Sequence, residues 1–274
     1  MKISVIGPVK NEAQFIGYSI MAVLPYVHEF VYACAKSDDG TDEILDYIKT
    51  THAGDKLKIL RKPEYDFDVK DMKAYNDSFN DCIKESTGDA IWFLHPDMIV
   101  TNPEKIKDIP NSIALFTNVS SYARDFKTKI TQGRTTRWKN IHKKTLGLHY
   151  YGGYGSQNED FYHRHITGES YVHHGDRFGG YPFRVLDSGI NVNHYCELKD
   201  FSRRLDKMIK CLDTLYPKSD PEALREMALA HPRVTLESTS QLFGKFEFTE
   251  TNDLIPPVFE KHKEEFEKCL GVKV

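Results

Sequence analysis

Three places in the chain hold side chains whose types and spacing suit chemistry. In His95-Pro96-Asp97 an imidazole and a carboxylate stand two residues apart, at the end of the apolar run 90–94. Pro96 cannot donate to a sheet and biases His95 toward extended backbone. Side chains two apart in extended chain point the same way, so His95 and Asp97 are expected on one side. That pair suits a divalent cation, or else it is a polar strand end with its hydrogen bonds satisfied. The second place is Glu159-Asp160, just ahead of a segment, 161–166, expected to be helical. A carboxylate there can take a proton from a hydroxyl, or the pair can stabilise a helix N-terminus. The third is His194, in a polar turn before an expected helix at about 201–215. It is either structural or a third ligand beside His95 and Asp97, with His173 and His174 as competitors.

The elements that must position these groups alternate between strand and helix. Residues 2–6 read as a buried strand broken by Gly7-Pro8, and Asn11 as the N-cap of a helix with Phe15, Ile16, Ile20, Val23 and Leu24 on one face. A second strand at 29–33 leads through the polar turn 36–42 into a helix bearing Ile44, Leu45, Tyr47 and Ile48. A third strand covers 57–60, and a helix at about 70–85 carries Met72, Tyr75, Phe79 and Ile83 on one stripe. Thr87-Gly88-Asp89 then starts the strand that ends at Asp97. Such alternation predicts a mostly parallel sheet with right-handed crossovers, whose ligands collect beyond the strand carboxyl ends. Gly7-Pro8, the turn 36–41 and His95-Pro96-Asp97 all fall at that edge.

The second half is less regular. A strand is expected at 112–119, then a basic stretch in which Lys127, Lys129, Arg134, Arg137, Lys139, Lys143 and Lys144 stand without an acid. That stretch reads as a solvated loop, or as a site for phosphates or a nucleic-acid acceptor. The segment 149–160 is dense in glycine and aromatics, among them Tyr150, Tyr151 and Tyr154, which either stack on a sugar or pack over the sheet. Loop is expected at 173–192, and helices at about 201–215, 222–230 and within 255–270.

Composition excludes rather than selects. With 274 residues, 40% hydrophobic and 28% charged, the chain is an ordinary globular one with room for a sizeable core. A formal charge of -3 gives no global attraction to nucleic acid or anionic membrane. Cys34, Cys82, Cys196, Cys211 and Cys269 form neither a zinc pattern nor a disulfide framework, and are expected as reduced thiols in a cytoplasmic protein. The sequence holds no stretch read as a signal peptide or transmembrane segment.

Taken in order, several stretches resemble the family-2 glycosyltransferases of the GT-A fold. They are Ile3-Ser4-Val5-Ile6-Gly7-Pro8-Val9-Lys10-Asn11-Glu12, Ser37-Asp38-Asp39-Gly40-Thr41-Asp42-Glu43-Ile44-Leu45, Tyr75-Asn76, and Thr87-Gly88-Asp89 with its strand to Asp97. Gly155-Ser156-Gln157-Asn158-Glu159-Asp160-Phe161-Tyr162-His163-Arg164 is similar to the Glu-Asp segment of the same enzymes. The resemblance implies an α/β GT-A fold, with a mostly parallel central sheet flanked by helices and a helical C-terminal extension. It places a catalytic domain at 1–200, with a nucleotide-sugar half at 1–100 and an acceptor half at 101–200, and the extension at 201–274. It also implies a nucleotide-sugar donor held by Pro8, Lys10, Asn11, Glu12, Asp38, Asp39, Lys73 and Asn76, with charge from Lys70 nearby. A divalent metal, Mn2+ or Mg2+, would lie on His95, Asp97 and His194, with Asp160 as base toward a hydroxyl acceptor and Glu159 as its helper. Two departures stand out. His95 replaces the first acid of the usual Asp-x-Asp, and Ala33-Cys34-Ala35-Lys36-Ser37 replaces an acidic pair that reads base and ribose. The expected activity is metal-assisted, inverting sugar transfer. The rivals are a nucleotidyltransferase of related architecture and a non-catalytic sugar- or nucleic-acid-binding module.

Overall fold

The computed structural model describes all residues except 66, 68–71, 113, 133–136, 145–147, 152–159, 165–169, 172–185, 200, 217, 237–246, 252 and 272–274. The chain divides into two units, one of residues 1–118, 137–192 and 256–274, the other of 119–136 and 193–255.

The first unit is built on the apolar runs visible in the sequence. Strand β1 (Ile3–Val9) pairs in parallel with β2 (Glu29–Cys34) on one side, while β2 pairs in parallel with β3 (Leu57–Arg61). The crossovers are α1 (Ile16–Val23) and α2 (Thr41–Ile48), which runs on through a π-helical turn at Lys49–Ala53. After β3 the chain returns through α3 (Met72–Glu85) to β4 (Ala90–Phe93), which pairs in parallel with the other side of β1. The parallel core is therefore ordered β3-β2-β1-β4, so the chain adds strands outward on one side of β1 and then crosses to add β4 on the other. Right-handed crossovers demand that helices before and after such a reversal of order lie on opposite faces.

That is the arrangement seen. Helices α1 and α2 pack on each other on one face. On the other, α3 buries Tyr75, Phe79, Cys82 and Ile83 against Ile6, Val31, Ala33, Ile91 and Phe93. Truncating a ring as buried as Phe79 to Ala costs about 3–5 kcal/mol, so this layer fixes the positions of the strand ends. Strand β5 (Met98–Val100) follows β4 closely, held to α1 where the Ser19 hydroxyl donates to the Met98 carbonyl at 2.8 Å.

Beyond β4 the pairing turns antiparallel. Strand β6 (Ala114–Ala123) contributes residues 114–118 to this unit and the rest to the second. After β7 (Thr128–Gln132), strand β8 (Arg137–Lys143) lies between β6 and β4. The basic stretch expected as loop is thus largely two strands. Strands β9 (His149–Tyr151), β10 (Asp160–Arg164) and β11 (Ser170–Tyr171) form a small antiparallel sheet. The helix expected at 161–166 is a strand over its first residues, because cross-strand partners at 149–151 and 170–171 supply a ladder that local sequence does not show. Likewise β12 (Leu186–Glu197) replaces expected loop and turn.

In the second unit, α4 (Phe201–Leu215), α5 (Pro221–Leu229) and α6 (Pro232–Thr235) enclose Leu205, Met208, Leu212, Leu224, Ala228 and Val234. Asp220 caps α5, accepting from the N–H groups of Glu222 and Ala223 at 3.0 and 3.2 Å. Strand β13 (Glu247–Glu250) pairs antiparallel with β7. The last helix, α7 (Pro257–Cys269), belongs to the first unit and packs on α1 and α2.

Candidate functional site

The reversal of strand order between β1 and β4 is where an open α/β sheet leaves a crevice, because the chain departs to opposite faces on its two sides. At the carboxyl end of β1, the Ala35 N–H donates to the Val9 carbonyl at 3.1 Å, keeping β1 and β2 together to their last residues. Asn11 then adopts a left-handed conformation, φ 54°, and its side-chain oxygen accepts from the Asp38 N–H at 3.0 Å. Asn11 is therefore not the N-cap of α1, which starts at Ile16. It is the corner of a loop bonded to its neighbour.

Three further bonds run between those loops. The N–H groups of Asn11, Glu12 and Ala13 donate to the Ser37 hydroxyl (3.1 Å), the Thr41 hydroxyl (2.7 Å) and the Asp39 carboxylate (3.1 Å). The other Asp39 oxygen accepts from the N–H and hydroxyl of Thr41 at 3.1 and 2.5 Å. The half-buried Asp39 thus braces the loops after β1 and β2 into one wall, while Asp38 is exposed beside it. Ser37 and Thr41 thus join the site residues that the sequence marks. Their signal is a cluster of short hydroxyl and carboxylate side chains, Ser37, Asp38, Asp39, Thr41 and Asp42, at a helix start, which favours capping.

On the other side of β1, the Gly7 α-carbon lies close to β4, so that a β-carbon there would stand 3.6 Å from the Leu94 carbonyl oxygen. His95-Pro96-Asp97 is not extended. It forms a tight turn in which the Met98 N–H donates to the His95 carbonyl at 3.0 Å. The polar triplet must link two buried strands, β4 and β5, within four residues, and a turn is what that distance allows. Asp97 is 2% exposed and His95 is partly exposed. The His95 ring lies on Phe93 with centroids 4.3 Å apart. Phe93 in turn meets Phe79 (4.7 Å), Phe79 meets Tyr75 (5.2 Å), and Phe67 joins Tyr75 to Tyr65. This row of rings fixes the imidazole from the α3 side.

The remaining candidates are distributed as follows. Pro8, Lys10 and Glu12 are partly buried at the end of β1. Lys73 stands on the exposed face of α3 in an ion pair with Asp77, and the Asn76 carbonyl accepts from Asn80 at 2.9 Å. Asp160 opens β10, its backbone paired with Tyr151. Glu159, Lys70, Tyr154, His173 and His174 lie outside the described residues. His194 is buried in β12, within the second unit. Among the described residues no group of three or more His, Cys, Asp or Glu side chains is arranged to hold a metal ion.

Two lysines of the basic stretch are committed elsewhere. Lys144 donates to the carbonyl and hydroxyl of Ser86, and burial pushes its ammonium below the usual lysine range. Lys129 pairs with Asp253 at 2.6 Å, and Tyr122 donates to the same carboxylate at 2.7 Å. Together they hold Asp253 at a pKa of about 2. Cys34 and Cys82 are buried free thiols whose pKa values burial raises, Cys82 to about 12, so neither serves as a nucleophile near neutrality.

No family model matches this chain. No curated protein matches it in sequence either. Among solved structures it is similar to TarS of S. aureus. Residues 1–349 of that protein in complex with UDP align with 84% of this chain and 70% of that one, at 13% identity and TM-score 0.43. A second TarS structure gives 84% and 42% coverage, 14% identity and TM-score 0.42. Glucosyl-3-phosphoglycerate synthase from Mycobacterium tuberculosis, in complex with Mn2+ and UDP-glucose, gives 44% of each chain, 19% identity and TM-score 0.32. A further TarS 1–349 structure is matched over 47% of its length, so the chain spans about half or less of several of these proteins. No helix among the described residues is long and apolar enough to cross a membrane.

Proposed function

We propose that this chain is a glycosyltransferase that moves a sugar from a nucleotide-sugar donor to a hydroxyl acceptor. The observation that carries this reading is that the loops after β1, β2 and β4 leave one edge of the parallel sheet, where the strand order reverses, and that the first two are hydrogen-bonded to each other. Those loops hold the very stretches whose sequence resembles the GT-A enzymes. In this reading the wall formed by Pro8, Lys10, Asn11, Glu12, Asp38 and Asp39 receives the nucleotide, with Asn76 and Lys73 at its margin.

In this reading His95 and Asp97 are the residues that would hold a divalent cation. His95 and Asp97 supply one imidazole and one carboxylate on a turn fixed by packing, and a cation of the Mg2+ or Mn2+ kind commonly takes one or two protein ligands plus substrate phosphates. When bound, such an ion would neutralise the charge growing on the departing diphosphate. Assignment of His194 as a further ligand rests on the sequence resemblance alone. The reaction itself asks for a base. The acceptor oxygen bonds to the anomeric carbon, the bond from that carbon to the diphosphate oxygen breaks, and the hydroxyl proton passes to Asp160. A single displacement of this kind inverts the anomeric centre. Glu159 would orient the acceptor.

The test is a thermal-shift panel of UDP-, GDP-, CDP- and dTDP-sugars, each with and without MnCl2, followed by hydrolysis and transfer assays on any donor that raises Tm. Binding to the native state raises Tm by mass action. A donor that stabilises the protein and is turned over supports the reading. Stabilisation without turnover favours a binding module, and no stabilisation by any donor overturns the donor site.

A further inference from the structure

Helix α7 ends against the loop that the proposed donor site depends on. Gly40, the N-cap of α2, has φ 91°, a left-handed conformation that other L-residues rarely adopt. It stands between Asp39 and Thr41, which carry the bonds joining the loops after β1 and β2. A β-carbon on Gly40 would overlap a methyl of Leu270, so the Leu270 side chain fills the space a side chain at position 40 would need.

Leu270 is held there by the whole helix. A β-carbon on Gly17 would stand 2.6 Å from the Phe266 ring, so α7 lies almost directly on the α1 backbone. Phe259 and Phe266 both meet the Tyr18 ring, at 4.5 and 5.0 Å. Glu265 joins His262 of its own helix, at 2.6 Å, to His52 of the π-helical turn, at 3.4 Å. The helix also ends in a defined cap. The Leu270 N–H donates to the Phe266 carbonyl at 3.0 Å, and the Gly271 N–H to Lys268 at 3.1 Å, with Gly271 at φ 68°. Leu270 remains 37% exposed, so it adds little to the core. Its contact with Gly40 is specific in place and modest in buried area.

We infer that Leu270 is a positioning residue for nucleotide binding: by seating on Gly40 it holds the Asp39 carboxylate against Ala13 and Thr41, and so keeps the donor wall assembled. This rests on the proposed donor site. The positioning acts through order rather than contact. A loop that is already fixed loses less freedom when a ligand binds, and affinity rises by that difference.

Two measurements on the full chain test it, with Leu270→Ala and Leu270→Met. Amide hydrogen exchange needs no ligand and reads the brace itself. In Leu270→Ala, exchange at Ala13 and Thr41 should rise about three- to tenfold, and Leu270→Met should restore it. Titration with UDP, GDP, CDP and dTDP in MnCl2 reads the consequence. The nucleotide that binds wild type should bind Leu270→Ala about three- to tenfold more weakly, again with recovery in Leu270→Met. Unchanged exchange at Ala13 and Thr41 overturns the clasp. Faster exchange with unchanged affinity overturns the positioning role. Failure of wild type to bind any of the four removes the donor site, and the positioning role with it, whatever the exchange data show about the contact.

Discussion

The Asp39 carboxylate accepts the Ala13 N–H at 3.1 Å, and through that bond the loop after β2 holds the loop after β1. Its second oxygen is taken by Thr41, so the carboxylate is used on both sides. Substituting Asp39→Ala should therefore act twice. Loss of hydrogen bonds to a charged group should lower stability by about 1.5–3 kcal/mol. Nucleotide affinity should fall while turnover at saturating donor changes less, the pattern of lost uniform binding. Denaturant melts and steady-state kinetics on the same preparation check both. Equal losses in kcat and kcat/KM would place Asp39 in the chemical step instead.

Asp97 is the candidate metal carboxylate, and at 2% exposure it is also a structural risk. Asp97→Asn keeps its shape and loses its charge. Transfer by the wild type should vanish in chelator and return with manganese, while Asp97→Asn should melt cooperatively and bind manganese at least tenfold more weakly. Full manganese affinity in Asp97→Asn would remove it from the ligand set.

Asp160 carries the proposed proton transfer. An acceptor hydroxyl is a poor nucleophile, and loss of a general base typically costs on the order of a hundred- to ten-thousand-fold in rate. Asp160→Asn should slow single-turnover transfer by about that factor. Nucleotide and metal affinity should stay near wild type. A normal rate per folded molecule would strike Asp160 from the mechanism.

Glu29 predicts the acid limit of the fold. It is buried at the amino edge of the sheet, where burial by itself would raise its pKa. The Lys58 ammonium at 2.8 Å, the Thr87 N–H and the Ser4 and Thr87 hydroxyls more than offset this and hold it at about 2, below its ordinary 4.5. A depressed carboxylate contributes its stability in full above the unfolded value and loses it as the pH falls through the folded one. Stability should therefore decline between about pH 4.5 and pH 2, by up to about 3 kcal/mol from this group. Urea melts across that range should show the decline in wild type and a flatter profile in Glu29→Gln, which should already be destabilised at pH 7. An equally steep decline in the variant would assign the acid sensitivity to other carboxylates.

What the sequence determined by itself is the parallel half. The runs of buried residues at β1, β2 and β4 and the helical stripe Tyr75-Phe79-Ile83 depend on local periodicity, which a sequence displays directly. The same runs bring the Asn11, Asp39 and Asp97 loops to one edge, because parallel strands must end on the same side. The tertiary structure decided the rest, wherever the partner lies far along the chain. Phe161 to Arg164 became strand because 149–151 and 170–171 flank it, and β12 became strand because β5, some ninety residues earlier, pairs with it. His95 and Asp97 left extended geometry because two buried strands had to be joined within a turn. The placing of Leu270 on Gly40 is of the same kind. Some 230 residues separate them, and the contact exists because α7 docks on α1 and α2, a packing that no local pattern encodes.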